Sequence, residues 1–264
     1  GIMDTAGTGG DGANTINITT AASLTAAAGG VKMIKCGNRS VSSKSGSADV
    51  LEALHIPLDL DPDRAVRQFE SSNFTFLFAP AYNPAIAFVQ PVRKALGVPT
   101  LFNTMGPLLS PARPEFQIMG IANPAQGQMI AETMRELGRG RALVVHGAGT
   151  DEIAVHGDTL VWELRDGEIT HYTVTPEVLG VEKHSLEDLL GGDGAANAAA
   201  MRATFAGEGP AAHRDAVAVS AGAMFTLYGI TDSFAEGTAH AKQLLADGTV
   251  AEWLRTHEQA DYSA

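Results

Sequence analysis

The chain is short of several things, and each shortage excludes a class of protein. Its 264 residues include one cysteine, Cys36, so neither an intramolecular disulfide nor a cysteine-based zinc cluster can form. That usage suits a reducing compartment, and the expected location is cytoplasmic. Aromatic residues make up only 6% of the chain, beside 29 glycines and 45% hydrophobic residues. The balance favours the close helix–sheet packing of an α/β protein over a β-sandwich. Lys and Arg number 18 against 30 Asp and Glu, a net charge of −12, and no basic run occurs. No nucleic-acid partner is expected, because a binder of polyanions presents a basic face. No apolar run approaches the roughly 20 residues of a membrane span, so no membrane partner is expected. The eight histidines show no ligand spacing, which leaves a histidine metal site and a Ser-His-Asp triad unsupported. The first residues have neither the charged nor the apolar region of a signal peptide. The chain opens directly into a functional-looking loop, and truncation or processing upstream is the expectation.

That loop is Gly7-Thr8-Gly9-Gly10-Asp11, followed by Asn17-Ile18-Thr19-Thr20 and an Ala-rich run. It is read as neither a Rossmann fingerprint placed after a strand nor a P-loop, since no Gly-Lys-Ser/Thr follows. Its glycines can turn successive N–H groups toward one cluster of anionic oxygens. The helix that follows adds a positive N-terminal end, and Asp11 and Thr19 are hard oxygen ligands suited to Mg²⁺. A plain loop that caps a helix accounts for the same residues.

Three further clusters carry candidate chemistry. Lys35-Cys36-Gly37-Asn38-Arg39 leads into Ser40–Ser47, where five of eight residues are serine, with Lys44 among them. It follows a strand, the usual ligand side of an open α/β sheet; a solvated Ser/Lys loop is the alternative. Gly147-Ala148-Gly149-Thr150-Asp151-Glu152 sets adjacent carboxylates after another strand, able to hold a metal or to cap an element in water. Arg93, in an apolar segment, can read a carboxylate bidentately or form a structural ion pair. Nothing in the sequence marks Cys36 as an activated thiolate.

Periodicity and punctuation predict helices over Ile16–Ala28, Asp49–Leu54, Pro62–Ser71, Asn83–Leu96, Gly127–Leu137, Asn197–Phe205, Ala212–Tyr228 and Phe234–Leu245, with a last one near Val250. Strands are expected over Val31–Lys35, Phe74–Phe78, Gln117–Ile121 and Arg141–Gly147. Leu160–Leu164 and Glu168–Val174 read as a hairpin across Arg165-Asp166-Gly167. Gly97–Pro114 reads as a Pro/Gly-rich loop. Strands alternating with helices imply a mostly parallel central sheet flanked by helices on both faces.

Four segments, taken in order, resemble one family: Asp4–Thr20, Lys35–Leu54, Phe76–Pro111 and Val144–Glu152 are similar to the corresponding motifs of anthranilate phosphoribosyltransferases. The resemblance runs over essentially the whole chain and implies a phosphoribosyltransferase/nucleoside phosphorylase type of catalytic domain. It also implies transfer of the 5-phosphoribosyl group from 5-phosphoribosyl 1-diphosphate to the amine of anthranilate, with release of diphosphate, in tryptophan biosynthesis. On this resemblance Gly7, Thr8, Gly9, Gly10 and Asp11 line the diphosphate site, and Thr15, Asn17, Thr19 and Thr20 complete it. Lys35, Lys44 and Ser47 meet phosphates or ribose. Asn38 and Arg93 face anthranilate, Arg93 on its carboxylate. Mg²⁺ is held by Asp11 and Thr19, the latter in place of a family serine, and by Asp151 and Glu152. No dominant catalytic base is implied, because an arylamine is already a neutral nucleophile.

The chain departs from the family in three respects. Cys36 stands where the family reads histidine, and Asn83 stands where it often has histidine; both lie on the anthranilate side. The family also carries an N-terminal helical domain of about 70 residues, bearing the dimer contacts and one wall of the cleft. Residues 1–264 are therefore expected to be the catalytic domain without it, and a homodimer is expected of the full-length protein. Two alternatives accompany this reading: an enzyme like the pyrimidine nucleoside phosphorylases, and a truncated domain that binds its substrate but turns over weakly.

Overall fold

The structure is a computed structural model and describes residues 1–40, 44–82 and 101–262. Its strands are β1 (Met3–Gly7), β2 (Met33–Gly37), β3 (Phe74–Phe78), β4 (Phe116–Gly120), β5 (Arg141–Gly147), β6 (Thr159–Arg165) and β7 (Glu168–Val174). Its helices are α1 (Ile18–Ala28), α2 (Ser47–Ala53), α3 (Pro62–Ser72), α4 (Ala79–Tyr82), α5 (Leu101–Leu108), α6 (Gly127–Glu136), α7 (Gly194–Phe205), α8 (Ala211–Tyr228), α9 (Phe234–Ala246) and α10 (Thr249–His257). All seven strands form one sheet in the order β3-β2-β1-β4-β5-β6-β7. The pairs from β3 to β5 are parallel, and β6 and β7 continue antiparallel.

Both faces of the sheet are covered, and the strand sequences show why. On β4 and β5, Ile118, Leu143 and Val145 point into one core, while Met119, Ala142 and Val144 point into the other. Alternate residues lie on opposite faces of a strand, so a strand buried on both faces is apolar throughout. The first core receives α1, whose small side chains are buried nearly all round, and α8. The second receives Ile130, Ala131 and Met134 of α6 and Leu108 of α5.

The two-residue turn Asp166-Gly167 joins β6 to β7, with φ of +53° and +80°. Positive φ at both positions matches the strand twist and favours Asp-Gly. β6 therefore runs one residue closer to the turn than expected from the sequence, while β7 has the expected bounds.

Three expectations change. The glycine loop does follow a strand, because Met3–Gly7 is β1. The second strand begins two residues later than expected and runs past Lys35 to take in Cys36 and Gly37, which pair with Leu77 and Phe78 of β3. The Pro/Gly-rich segment contains α5, with Pro107 in its last turn. Tertiary partners hold that helix end: Gln117 Nε2 donates to Pro107 O at 2.8 Å and Arg139 Nη2 to Leu108 O at 3.3 Å. The helix expected over Asn83–Leu96 lies outside the described residues. Among the described residues no helix is long and apolar enough to cross a membrane.

Candidate active site

Chain order reverses at the centre of the sheet, where β1 and β4 are neighbours but lead to opposite edges. Ligands of open α/β sheets bind beyond the carboxyl ends of strands at such a point. Gly7 and Gly120 are the paired last residues of those two strands. The loop leaving β1 is fastened to β4 by Thr8, whose N–H donates to Gly120 O at 3.0 Å and whose Oγ1 accepts from Ala122 N at 3.1 Å. Beyond it Gly9, Gly10 and Gly12 have φ of +66°, +80° and +76°, and open space lies where their side chains would stand. These angles favour glycine, and they leave this backbone open to a ligand.

The adjacent carboxylates reach the same place by a second tight turn. β5 ends at Gly147, and Gly147 and Thr150 exchange backbone bonds of 3.0 and 2.9 Å around Ala148 and Gly149, both at positive φ. This turn carries Asp151 back over the ends of β1 and β4. A Cβ on Gly7 would run into the Asp151 carboxylate, and one on Gly120 into the Asp151 carbonyl. Backbone contact requires glycine at 120, whereas at 7 it is the present place of the Asp151 side chain that leaves no room for a Cβ.

The glycine loop and the carboxylate turn hold each other. Gly9 N donates to Asp151 Oδ2 at 2.6 Å, and Asp151 N donates to Asp11 Oδ2 at 3.3 Å, while Asp11 Oδ1 accepts from Ala13 N at 3.0 Å. Glu152 turns to the start of α1. Thr19 Oγ1 donates to it, lying 2.6 and 2.7 Å from its two oxygens, and Thr19 N adds a bond at 3.3 Å. Asn17, the residue before the helix, makes no side-chain cap. A carboxylate from another loop therefore satisfies the exposed end of α1, where the helix dipole favours negative charge.

Burial pushes the Asp151 carboxyl up, and the Asp11 charge pushes it further, against the pull of the Gly9 N–H. Burial and then the Asp151 charge raise Glu152, against its bonds from Thr19 and the charge of Lys35. Two carboxylates held out of their ordinary range beside a third are suited to a cation. Among the described residues no three His, Cys, Asp or Glu side chains form a metal cage. Hard oxygen donors in ones and twos suit Mg²⁺, which keeps waters and takes substrate phosphates as its remaining ligands.

The Lys35–Ser47 segment lies on the β2 side of this loop. Lys35 is buried, its Nζ donates to Thr5 O at 2.8 Å, and burial lowers its pKa against the charges of Asp4 and Glu152. Asn38 accepts from Ala48 N at 3.2 Å through its carbonyl, and Ser47, the first residue of α2, donates to that carbonyl at 3.4 Å. Lys44 is exposed. Asn17 joins this segment to the glycine loop, donating to Ser45 O at 3.0 Å. Burial and the Asp4 charge push the Cys36 thiol up to about 12. Thr15 bridges to Leu190, and Thr20 is buried in α1. Arg93 and Asn83 lie outside the described residues.

Four supporting residues escaped the sequence reading. Asp49 Oδ2 accepts from Ser40 N at 2.9 Å and from Gly46 N at 2.8 Å, holding both ends of the Ser/Lys loop. Asn197, buried on α7, donates to Asn17 Oδ1 at 2.8 Å and accepts from Gly192 N at 2.7 Å. Gln117 and Arg139, both buried, bond each other at 2.7 Å beneath α5. Lone polar residues in apolar surroundings were the only signal, and that pattern does not name a partner.

Comparison with known proteins gives the family of the chain. The family described as the glycosyl transferase family, a/b domain, matches residues 1–251. Anthranilate phosphoribosyltransferase of Corynebacterium aurimucosum is 74% identical over 264 residues, covering 100% of this chain and 76% of the relative. Its counterpart in a Shewanella species (strain W3-18-1) is 49% identical over 96% of this chain and 73% of its own length. Among solved structures, the Thermus thermophilus anthranilate phosphoribosyltransferase superposes with a TM-score of 0.91 at 44% identity, over 97% of this chain and 76% of that one. The Saccharomyces cerevisiae enzyme in complex with PRPP and Mg has a TM-score of 0.88 at 26% identity, over 97% of this chain and 72% of that one.

Proposed function

The chain belongs to the anthranilate phosphoribosyltransferases, a glycosyl transferase family, and on that premise we propose how its residues divide the work. The reaction transfers the 5-phosphoribosyl group of 5-phosphoribosyl 1-diphosphate to the amine of anthranilate and releases diphosphate, a step of tryptophan biosynthesis. The observation that carries the site assignment is the meeting of Gly9, Asp11 and Asp151 at the carboxyl ends of β1 and β4.

In this reading Gly7, Thr8, Gly9, Gly10 and Asp11 line the diphosphate site, with the Thr8 and Gly9 N–H groups fastening the loop to β4 and Asp151, and Thr15, Asn17, Thr19 and Thr20 bound its far side. Asp11, Thr19, Asp151 and Glu152 hold Mg²⁺, which when bound neutralises charge on the leaving diphosphate. Lys35 supports the loop from beneath, and Asn38, Lys44 and Ser47 bound the ribose side. Arg93 takes the anthranilate carboxylate. The arylamine needs no base to become a nucleophile, so no residue is assigned as the catalytic base. Catalysis rests on holding C1 of the ribose near the amine and on stabilising the departing charge. The reaction runs in the cytoplasm, where Cys36 stays a free thiol.

The test is diphosphate release from 5-phosphoribosyl 1-diphosphate with Mg²⁺, with anthranilate or with a pyrimidine base as acceptor. Release that requires anthranilate, and falls in Asp11→Asn and Asp151→Asn, is the expected result. Release driven by the pyrimidine base and indifferent to anthranilate would overturn the assignment.

A further inference from the structure

The sheet face that carries the larger core changes character at one end. Across β5 and β6 the register runs Val145↔Val161, Leu143↔Glu163 and Arg141↔Arg165. The last row sets two arginines directly opposite each other, an arrangement that repels and weakens a ladder. It lies at the start of β5, away from Gly147 and Asp151. Arg165 has Asp166 at 3.9 Å, with both side chains largely in water. Arg141 has no carboxylate within ion-pair distance among the described residues. Its Nε is buried without a hydrogen-bond partner, and its Nη2 reaches Thr226 O only at 3.5 Å. A buried donor left without a partner is costly in a folded protein.

Both arginines line a half-open cavity of about 420 Å³ between these strands and the start of α9. Ser233 caps that 13-residue helix, accepting from Glu236 N at 3.3 Å, and Phe234 and Ala235 of its first turn border the cavity. First-turn N–H groups have no partner within the helix and carry its positive end. Leu143, Val178 and Leu227 give the cavity apolar walls. Two acids also border it: Asp232, and Glu163, which accepts from Tyr172 Oη at 2.7 Å.

We propose that this cavity is a second ligand site, for a small organic monocarboxylate. The carboxylate is taken by the Arg141 fork, with Arg165 adding positive charge, and the apolar body lies against Leu143, Val178 and Leu227; Glu236, in the first turn of α9, offsets the positive end of that helix. A planar guanidinium matches a carboxylate bidentately. Glu163 and Asp232 balance the two arginines, which disfavours a multiply charged anion such as phosphate. The site lies at the opposite end of β5 from the catalytic turn and does not rest on the transferase reading.

The experiment is a titration of methyl-labelled protein with benzoate, followed by NMR, with inorganic phosphate as a second probe. Saturable shifts of the Leu143, Val178 and Leu227 methyls are expected, with at least tenfold weaker binding in Arg141→Gln and unchanged anthranilate turnover in that variant. Arg165→Gln, at the more exposed arginine, serves as the second variant and is expected to weaken binding several-fold. Shifts confined to the surroundings of Gly9 and Asp151, equal affinity in both variants, or phosphate binding as tight as benzoate would each sink the proposal.

Discussion

Glu152 closes the N-terminal end of α1 through Thr19, whose Oγ1 stands 2.6 and 2.7 Å from the two carboxylate oxygens. The residues are 133 apart in sequence, and the contact joins the carboxylate turn after β5 to the helix that follows the glycine loop. Replacing Thr19 by the isosteric Val removes the hydroxyl and leaves a buried carboxylate short of its donor. Such a loss costs about 1–3 kcal/mol, and Thr19→Ser should recover most of it. Urea denaturation of the two variants checks this; equal midpoints would show that the hydroxyl contributes nothing.

The raised carboxyls of Asp151 and Glu152 give the metal-free protein a pH dependence with a definite sign. A carboxyl whose folded pKa exceeds its unfolded value stabilises the fold fully below the ordinary carboxylate range. That contribution is lost as pH rises through the folded value. Stability from these two groups should therefore fall between about pH 4 and the neutral range. Lys35, lowered by burial, acts in the opposite sense at higher pH. Mg²⁺ with 5-phosphoribosyl 1-diphosphate should restore stability most at the upper end of the window, where the carboxylates are ionised. Thermal denaturation from pH 4 to 8, with and without both ligands, is the measurement. A ligand effect that is largest at pH 4 contradicts it.

Gly7 and Gly120 are expected to fail differently when replaced by Ala. A Cβ at 120 meets the backbone of Asp151, which has little freedom to withdraw, so Gly120→Ala should cost about 3 kcal/mol. A Cβ at 7 meets the Asp151 side chain, which can swing away. Gly7→Ala should keep more of its stability and lose turnover on the order of a hundredfold, as misplaced site groups do. Chemical denaturation beside kcat for both variants separates the two effects; parallel losses in both would refute the distinction.

Cys36 should be inert in the folded protein. Burial and the Asp4 charge push its thiol up to about 12, and the thiolate is the reactive form. At pH 8 a thiol reagent should modify it far more slowly in buffer than in denaturant. Native labelling at the rate of the unfolded chain would contradict this.

Much of the site could be read from the sequence because its parts are local. Gly9, Gly10 and Gly12 follow one another closely, and so do Asp151 and Glu152, so residue type and spacing carried their chemistry. The supporting residues could not be read that way. Asp49, Gln117, Arg139 and Asn197 act through backbone groups and amides, and a polar side chain in a sequence does not show which group it will face. The strand before the glycine loop was missed because Met3–Gly7 is short and partly polar. It is a strand because it pairs with β2 and β4. The same limit applies to α5, whose Gly106 and Pro107 argue against a helix that Gln117 and Arg139 hold at its end.

The alternation of apolar strands with Ala-rich and amphipathic helices was enough to specify an α/β sheet buried on both faces, because burial periodicity is written along the chain. Motif spacing likewise marked a glycine loop and a paired-carboxylate turn as candidate site elements. Their meeting was decided by the tertiary structure alone. It depends on β1 and β4 being neighbours at the reversal of strand order, on Gly7 and Gly120 leaving room for Asp151, and on Glu152 reaching the start of α1. All but the Gly120–Asp151 contact join segments more than a hundred residues apart, and all are set by chain topology and by the space that side chains leave.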